Sequence, residues 1–280
     1  MRRRIQAVKN TQKITKAMKM VSSARLKRAE DRVLTVRPYM EHLERMYMRF
    51  GETVAEELLH PLAEVRPEVK RIGILVISSD RGLCGSYNTN LFRAVHDFAE
   101  KKKKETVLYV IGRKGADYFR RRHWNIAARF INLSFHIEYR EIKNVVDVFS
   151  GAFLSGDVDE VWLAYSRYVA AAISRPAVVP LLPLVPPEHE EKVSQVKFIF
   201  QPSVKAIVDV FFPKYLHTRV VAAFAEAMAS EQGQRMVAMT AATDNAEEMV
   251  QSLTLYYNKA RQAAITKEIM EVVGGAEALK

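Results

Sequence analysis

Residues 236–270 read MVAMTAATDNAEEMVQSLTLYYNKARQAAITKEIM. Met239, Ala242, Ala246, Met249, Leu253, Tyr256, Ala260, Ala263 and Met270 recur there on a 3-4 spacing, interrupted by Lys267. Apolar residues at alternating three- and four-residue intervals draw a seam along one side of a helix, the pattern of a coiled coil. The opposite end of the chain carries a second seam: Leu26, Ala29, Val33, Val36, Met40, Leu43, Tyr47, Phe50 and Val54. Two seams with a compact stretch between them predict a long antiparallel coiled coil of the N- and C-terminal helices, closed by a globular domain. At about 1.5 Å per residue, each arm spans roughly 80–100 Å. A part of that length is mechanical or scaffolding in kind.

The domain organisation expected is an N-terminal coiled-coil helix over 1–60, an α/β domain over 68–205 and a C-terminal coiled-coil helix over 206–280. Pro38 removes a backbone donor and should bend or interrupt the first helix. Pro213 falls in the first turns of the last helix or marks a kink, and Gly274-Gly275 is a stop signal. Between the arms, Arg71–Ser79 is the continuous apolar run of a strand buried on both faces. A helix follows over Thr89–Lys103, its closing lysines suited to the negative end of the helix dipole. Strand Thr106–Ile111, helix Lys114–Arg121, helix Asn144–Leu154 and strand Glu160–Ser166 continue the alternation. Such alternation predicts an α/β class, Rossmann-like doubly wound domain with a largely parallel sheet. The segment PAVVPLLPLVPP (176–187) contains five prolines, which exclude a central strand and leave a surface crossing or an edge. Val196–Phe200 reads as a final strand.

Charge is unevenly placed. The 280 residues carry a net charge of +11. Residues 1–28 hold Arg2, Arg3, Arg4, Lys9, Lys13, Lys16, Lys19, Arg25, Lys27 and Arg28 and no acid. Like charges on one helix repel, so this segment expects an acidic partner. Ile14, Met18 and Val21 place an apolar stripe among those charges, as if one side packs on protein. A nucleic-acid-binding basic coiled coil is the alternative, although few aromatics interleave with the cations. The single cysteine, Cys84, excludes an intrachain disulfide and suits a reducing compartment. There is no apolar run long enough to insert in a membrane, and no targeting segment is visible.

Catalytic chemistry is hard to find. SSDRGLCGSYN (78–88) joins a strand to a helix, the setting of a phosphate cradle. It lacks GxGxxG and the Gly-Lys-Ser/Thr ending, and its glycines suit a turn with close backbone approach. Gly112-Arg113-Lys114-Gly115 repeats the setting with the same reading. Cys84 has no supporting His or Asn nearby in sequence. The seven histidines are scattered without metal-ligand spacing. The expectation is a chain with no catalytic residue, no cofactor and no metal site.

Three stretches carry a resemblance. KNTQKITKAMKMVSSARLKRAEDR (9–32), SSDRGLCGSYNTNLF (78–92) and ASEQGQRMVAMTAATDNAEEMVQSLTLYYNKARQAAITKEIMEVVGGAEAL (229–279) resemble, in order, the signatures of the gamma subunits of F-type ATP synthases. The resemblance covers both ends and the middle. It implies a central rotor stalk whose terminal helices lie inside a ring of alpha and beta subunits. It also implies that the α/β domain meets epsilon and the membrane rotor ring of c subunits. Catalysis would belong to beta, with ion-driven rotation of this non-catalytic chain coupled to ATP synthesis or hydrolysis. Nucleic acid would not be a partner. The location implied is peripheral, at the cytoplasmic face of a bacterial inner membrane.

Matched to the family motifs, Arg261, Gln262 and Thr266 correspond to residues that engage catch loops of the ring. Met18 and Lys19 correspond to a segment passing the acidic levers of beta. The tip beyond Val272 would lie in an apolar bearing. Gln201-Pro202-Ser203-Val204 departs from the acid-containing EPxP seen in many members. With Cys84 alone, the regulatory cysteine pair of chloroplast relatives is missing.

Overall fold

The structure, a computed structural model, describes residues 1–54, 60–133, 138–185, 201 and 203–277. In chain order the elements are α1 (Arg2–Val54), a short 3-10 turn (Pro61–Ala63), β1 (Arg71–Ile77), α2 (Tyr87–Lys102), β2 (Glu105–Ile111) and α3 (Arg113–Arg120). They continue with β3 (Asn125–Phe130), α4 (Tyr139–Leu154), β4 (Glu160–Ala170), β5 (Ile173–Leu182) and α5 (Val204–Glu277). The expected strand at Val196–Phe200 lies outside the described residues. The chain divides into two compact units, Met1–Ser22 with Met236–Lys280, and Ser23–Arg235.

The larger unit is built on a five-stranded sheet in the order β3-β2-β1-β4-β5. Strands β1 to β4 pair in parallel and β5 pairs antiparallel to β4. The mixed sheet is the doubly wound arrangement with one antiparallel edge. Its centre is apolar on both faces, as the run RIGILVI demands: Ile72, Ile74 and Leu75 have no exposure. On one face α2 and α3 bring Leu91, Phe92, Val95 and Phe119 onto Ile74, Val76, Leu108 and Val110. Helix α4 contributes Ile142, Val145, Phe149 and Phe153, all buried.

The proline-rich segment is edge strand β5 over its first part. Pro176 and Pro180 oppose Ser166 and Trp162. They are four residues apart, so both lack an N–H on the same side, the tolerable arrangement at a sheet edge. Strand β3 was not anticipated. Its Asn, Ala and Arg content is weakly β-forming, and its side chains alternate between exposed and half-buried. Helix α4 begins at Tyr139, five residues before the expected start; Glu138 is in extended backbone and its carbonyl accepts from the Glu141 and Ile142 amides.

In this unit the N-terminal seam holds. Leu26, Ala29, Val33, Leu43 and Tyr47 are each about 5% exposed; Phe50 and Val54 lie where side chains are not described. Tyr47 stacks on Tyr215 with ring centres 4.5 Å apart and meets Phe212 edge-on at 6.1 Å. Those contacts join the α1 and α5 segments. Helix α1 passes through Pro38 without interruption, and α5 likewise contains Pro213.

The smaller unit pairs the start of α1 with the later part of α5. The inward residues of α1 are Ile5, Val8, Gln12, Thr15, Lys19 and Ser22, on strict 3-4 spacing, with Thr15 and Ser22 buried. Thr243 donates to Thr15 at 2.8 Å. Ile14 and Val21, expected to pack, are 60% and 53% exposed. They lie one or two positions off the inward register. On α5 the C-terminal seam is only partly right. Met239 and Ala246 are buried, yet Met249 and Tyr256 are 50% and 60% exposed. Val250, Thr254 and Tyr257 take the half-buried places instead. A straight helix at 3.6 residues per turn drifts about 20° per heptad from a 3.5 repeat, which moves the inward stripe by one residue.

Contact with α1 ends where α1 begins. Arg2 Nε donates to the Tyr257 hydroxyl at 2.7 Å, and its guanidinium lies 5.5 Å from that ring. Residues 258–274 are all exposed. Among the described residues, Ala260, Ala263 and Met270 therefore face no partner helix, against the expected seam. Helix α5 also runs on through Gly274 to Glu277 rather than stopping at the glycine pair.

Candidate partner-binding surfaces

The loop after β1 is a closed structure. Ser78 Oγ donates to the Ile111 carbonyl at 2.7 Å and accepts from the Gly115 amide at 3.0 Å. A Cβ on Gly115 would sit 2.4 Å from that Oγ, and one on Gly112 would sit 2.2 Å from the Ser78 carbonyl oxygen. Both glycines are needed for the close approach of two backbone segments. Asp80 accepts from the amides of Arg113 and Asn132 at 2.9 and 3.0 Å. Its carboxylate thus takes the start of α3, where a phosphate would otherwise find helix amides. The second of the two sequence settings, at Gly112–Gly115, is thus filled by the chain's own Ser78 and Asp80.

Cys84 is buried beside Ser79 and the Arg81 carbonyl, and Asn88 Nδ2 donates to its Sγ at 3.3 Å; against the expectation, an Asn does lie nearby, one helical turn on in sequence. Burial pushes its thiol up, with the nearby Glu231 charge adding to the shift. A thiol held protonated is a poor nucleophile.

Sequence spacing does not single out Arg235 and Glu231. Arg235 Nη1 lies 2.7 Å from Glu231 Oε1, and its side chain is 8% exposed. The other guanidinium nitrogens donate to the carbonyls of Arg81 and Gly82 at 3.1 to 3.4 Å. Burial raises the Glu231 carboxyl, opposed by Arg235. A buried charge with fixed donors is stable when fully partnered. Arg235 spends its donors on the β1–α2 loop and so fastens it to α5. The available signal was an acid and a base at i and i+4 in QRM-flanking sequence, which also describes many exposed helix pairs.

The sequence-predicted contact residues occupy two places in the smaller unit. Met18 and Lys19 are half-buried on α1, with Lys19 on the inward register. Arg261, Gln262 and Thr266 are exposed on α5, in the stretch beyond the start of α1. Gln262 and Thr266 are four residues apart and share a face. Around them Ile265, Ile269, Met270, Val272 and Val273 are 47–72% exposed. On α1, Arg2, Arg3, Arg4, Lys9, Lys13 and Lys16 are exposed. The arms thus present a cationic start and an apolar end, the surfaces of a chain that is completed by other proteins. Among the described residues, His, Cys, Asp and Glu form no cluster fit to hold a metal. Also among them, no helix is long and apolar enough to cross a membrane.

A family model described as ATP synthase matches residues 1–279. The chain is 44% identical to the ATP synthase gamma chain of Desulfitobacterium hafniense over 279 residues, covering all of this chain and 98% of that one. It is 42% identical to the gamma chain of Pelotomaculum thermopropionicum, again over its whole length and 98% of the relative. Among solved structures, a chain of the Euglena gracilis mitochondrial ATP synthase (OSCP, F1 and c-ring) superposes with a TM-score of 0.71. That match covers 99% of this chain and 93% of the other at 19% identity. A chain of the Tetrahymena thermophila enzyme's central stalk and c-ring gives 0.65 over 82% and 99%, at 24% identity. The structural likenesses show a shared fold.

Proposed function

Because the chain belongs to the family of ATP synthase gamma chains, and is therefore the non-catalytic central-stalk subunit of an F-type ATP synthase, we propose how its surfaces are used. The paired arms enter a ring of alpha and beta subunits. Met18 and Lys19, with the cations around them, pass the acidic levers of beta. Arg261, Gln262 and Thr266 engage the catch loops of the ring, and the apolar end beyond Val272 turns in its bearing. The larger unit meets epsilon and the ring of c subunits, at the cytoplasmic face of the membrane.

The observation that carries this reading is residues 258–274. They form regular helix, are apolar along much of their length, and are exposed throughout. An isolated helix of that kind has no reason to persist in water unless another surface covers it. The mechanism follows from asymmetry. A shaft that makes different contacts with each of several equivalent sites biases each toward a different conformation, by its differential binding free energy. Rotation then moves the bias from site to site. Arg261 suits such contacts, since its planar guanidinium offers five donors to carbonyls or carboxylates.

Co-expression with the alpha and beta subunits tests the proposal. A complex containing this chain should purify and hydrolyse ATP. Removal of residues 258–280 should lower turnover while leaving the larger unit folded. Full turnover without that stretch, or failure of the chain to join alpha and beta, refutes it.

A further inference from the structure

The amino-terminal edge of the sheet is charged very differently along its length. Strands β2 and β3 lie side by side in parallel, with Val107 opposite Asn125. The segments leading into them therefore emerge as neighbours, about 5 Å apart at the strands. One carries Lys101, Lys102, Lys103 and Lys104; the other carries Arg120, Arg121, Arg122 and His123. All of these except Lys102 are exposed.

Some of the cations are engaged. Lys102 lies 3.2 Å from Glu160 and 4.3 Å from the Trp162 ring centre. Arg120 pairs with Asp117 at 3.0 Å, and Arg122 lies 3.8 Å over the Tyr118 ring. Among the described residues, the Arg121 side chain donates only to the Asp117 carbonyl. Lys101, Lys103 and Lys104 have no carboxylate partner among the described residues. The β1–β4 half of the same edge is balanced. There Asp159 accepts from the amides of Lys70 and Arg71, and Lys70 and Arg66 pair with Glu68 and Glu64.

We propose that the rim formed by residues 101–104 and 120–123 is an electrostatic contact for an anionic phospholipid surface. The proposal rests on the reading of this chain as a stalk that reaches the membrane rotor ring. Among the described residues, the rim cations without a carboxylate or ring partner are three lysines and Arg121, spread over two segments. Lysine is a compact point charge on a flexible stem, without the fixed fork that reads one carboxylate. Charges so spread suit a laterally extended layer of mobile headgroups, where each adds to the attraction within a Debye length. Single-stranded nucleic acid needs open aromatic faces on which bases stack. Here Phe92 stacks on Tyr118 at 4.4 Å and Arg122 covers that ring as well. Trp124 is held between His96 and Phe119.

The test is co-sedimentation with vesicles of phosphatidylcholine alone or mixed with phosphatidylglycerol. It uses the complex of this chain with alpha, beta and epsilon subunits, without the membrane sector, and the full chain by itself. Binding should require phosphatidylglycerol and weaken as salt rises. The variant Lys101→Gln/Lys103→Gln/Lys104→Gln/Arg121→Gln should bind at least tenfold more weakly. ATP turnover of the rim variant should be unchanged, which excludes misfolding as the cause. Equal binding to pure phosphatidylcholine, or a rim variant that binds as well as the unmodified chain, overturns the proposal. So does rim-dependent capture of an RNA oligonucleotide under conditions where mixed vesicles are not bound. Should the chain fail to assemble with alpha and beta, the stalk reading falls, and the full-chain arm still decides whether the rim holds phosphatidylglycerol vesicles.

Discussion

Two stretches of α5 are equally helical and meet opposite fates. Residues 204–235 bury Val208, Phe212, Tyr215, Leu216, Val220 and Phe224. Residues 258–274 include Ile265, Ile269, Met270, Val272 and Val273, and bury none of them. The first stretch belongs to a unit that holds the sheet, the later part of α1 and helices α2 to α4. The second lies past Tyr257, where α1 has already begun. Apolar content alone therefore does not say whether a helix stabilises its own chain or awaits another. The consequence is a division of labour: fold stability resides in the first stretch, and exposed contact surface in the second.

The largest expected effect breaks that comparison if it fails. Phe212→Ala removes a fully buried ring that contacts Tyr47 and His60 and should cost about 3–5 kcal/mol. Ile269→Ala, in the exposed stretch, should change stability by no more than about 0.5 kcal/mol. Urea unfolding of the full chain compares them directly. Similar losses would mean that residues 258–274 are folded against the chain after all.

Glycines sharpen the same contrast because the two stretches should respond with opposite sign. A Cβ on Gly233 would lie 2.2 Å from the Ala171 carbonyl oxygen, so Gly233→Ala should destabilise by about 1–3 kcal/mol. Gly274 has open space around it. Gly274→Ala should stabilise its helix by about 0.5–1 kcal/mol. Unfolding midpoints and helix content by circular dichroism measure both, and equal signs would contradict the geometry.

The double change Arg261→Ala/Gln262→Ala addresses function instead. It should leave the fold unchanged but lower ATP turnover of the assembled complex at least about tenfold, equivalent to about 1.4 kcal/mol. Turnover within about twofold of the unmodified complex, with assembly verified, would show that these exposed residues are not ring contacts.

A smaller effect concerns pH. His60 Nδ1 accepts from the Leu62 amide at 3.1 Å, and its Nε2 lies 4.0 Å from Asp209. Burial holds the His60 pKa below its ordinary value, with Asp209 pulling the other way, and burial also lowers that of His217. A lowered folded pKa means that the unfolded chain takes up the proton more readily. Its stabilising contribution is complete above about pH 6.5 and is lost as pH falls through the folded value. The larger unit should therefore weaken over that window, and His60→Asn should flatten the dependence. Denaturation midpoints at about pH 7.5 and about pH 5.5 bracket the window; an unchanged slope in the variant would remove His60 from the account. Smallest of all, Lys9→Ala or Lys13→Ala alone should shift assembly by about 0–1 kcal/mol, the worth of one exposed ion pair.

Local pattern settled much of this molecule. The period of apolar residues named both long helices and the inward face over Leu26–Tyr47. The run at Arg71–Ile77 and the alternation after it named the parallel sheet, and the prolines of 176–187 named an edge. The motifs themselves named the family; the contact roles of Met18, Lys19, Arg261, Gln262 and Thr266 are what that resemblance implies, and they stand as proposals. Only tertiary structure decided the rest. Strand β3 exists because β2 offers its edge, not because its own residues favour extension. Arg235 is a buried fastener of the β1–α2 loop because two carbonyls 153 and 154 residues away in sequence point at it. Met249 and Tyr256 lose the seam to Val250 and Tyr257 because helical drift accumulates over distance. Sequence spacing reports which residues share a face; it carries no record of what, if anything, stands opposite that face.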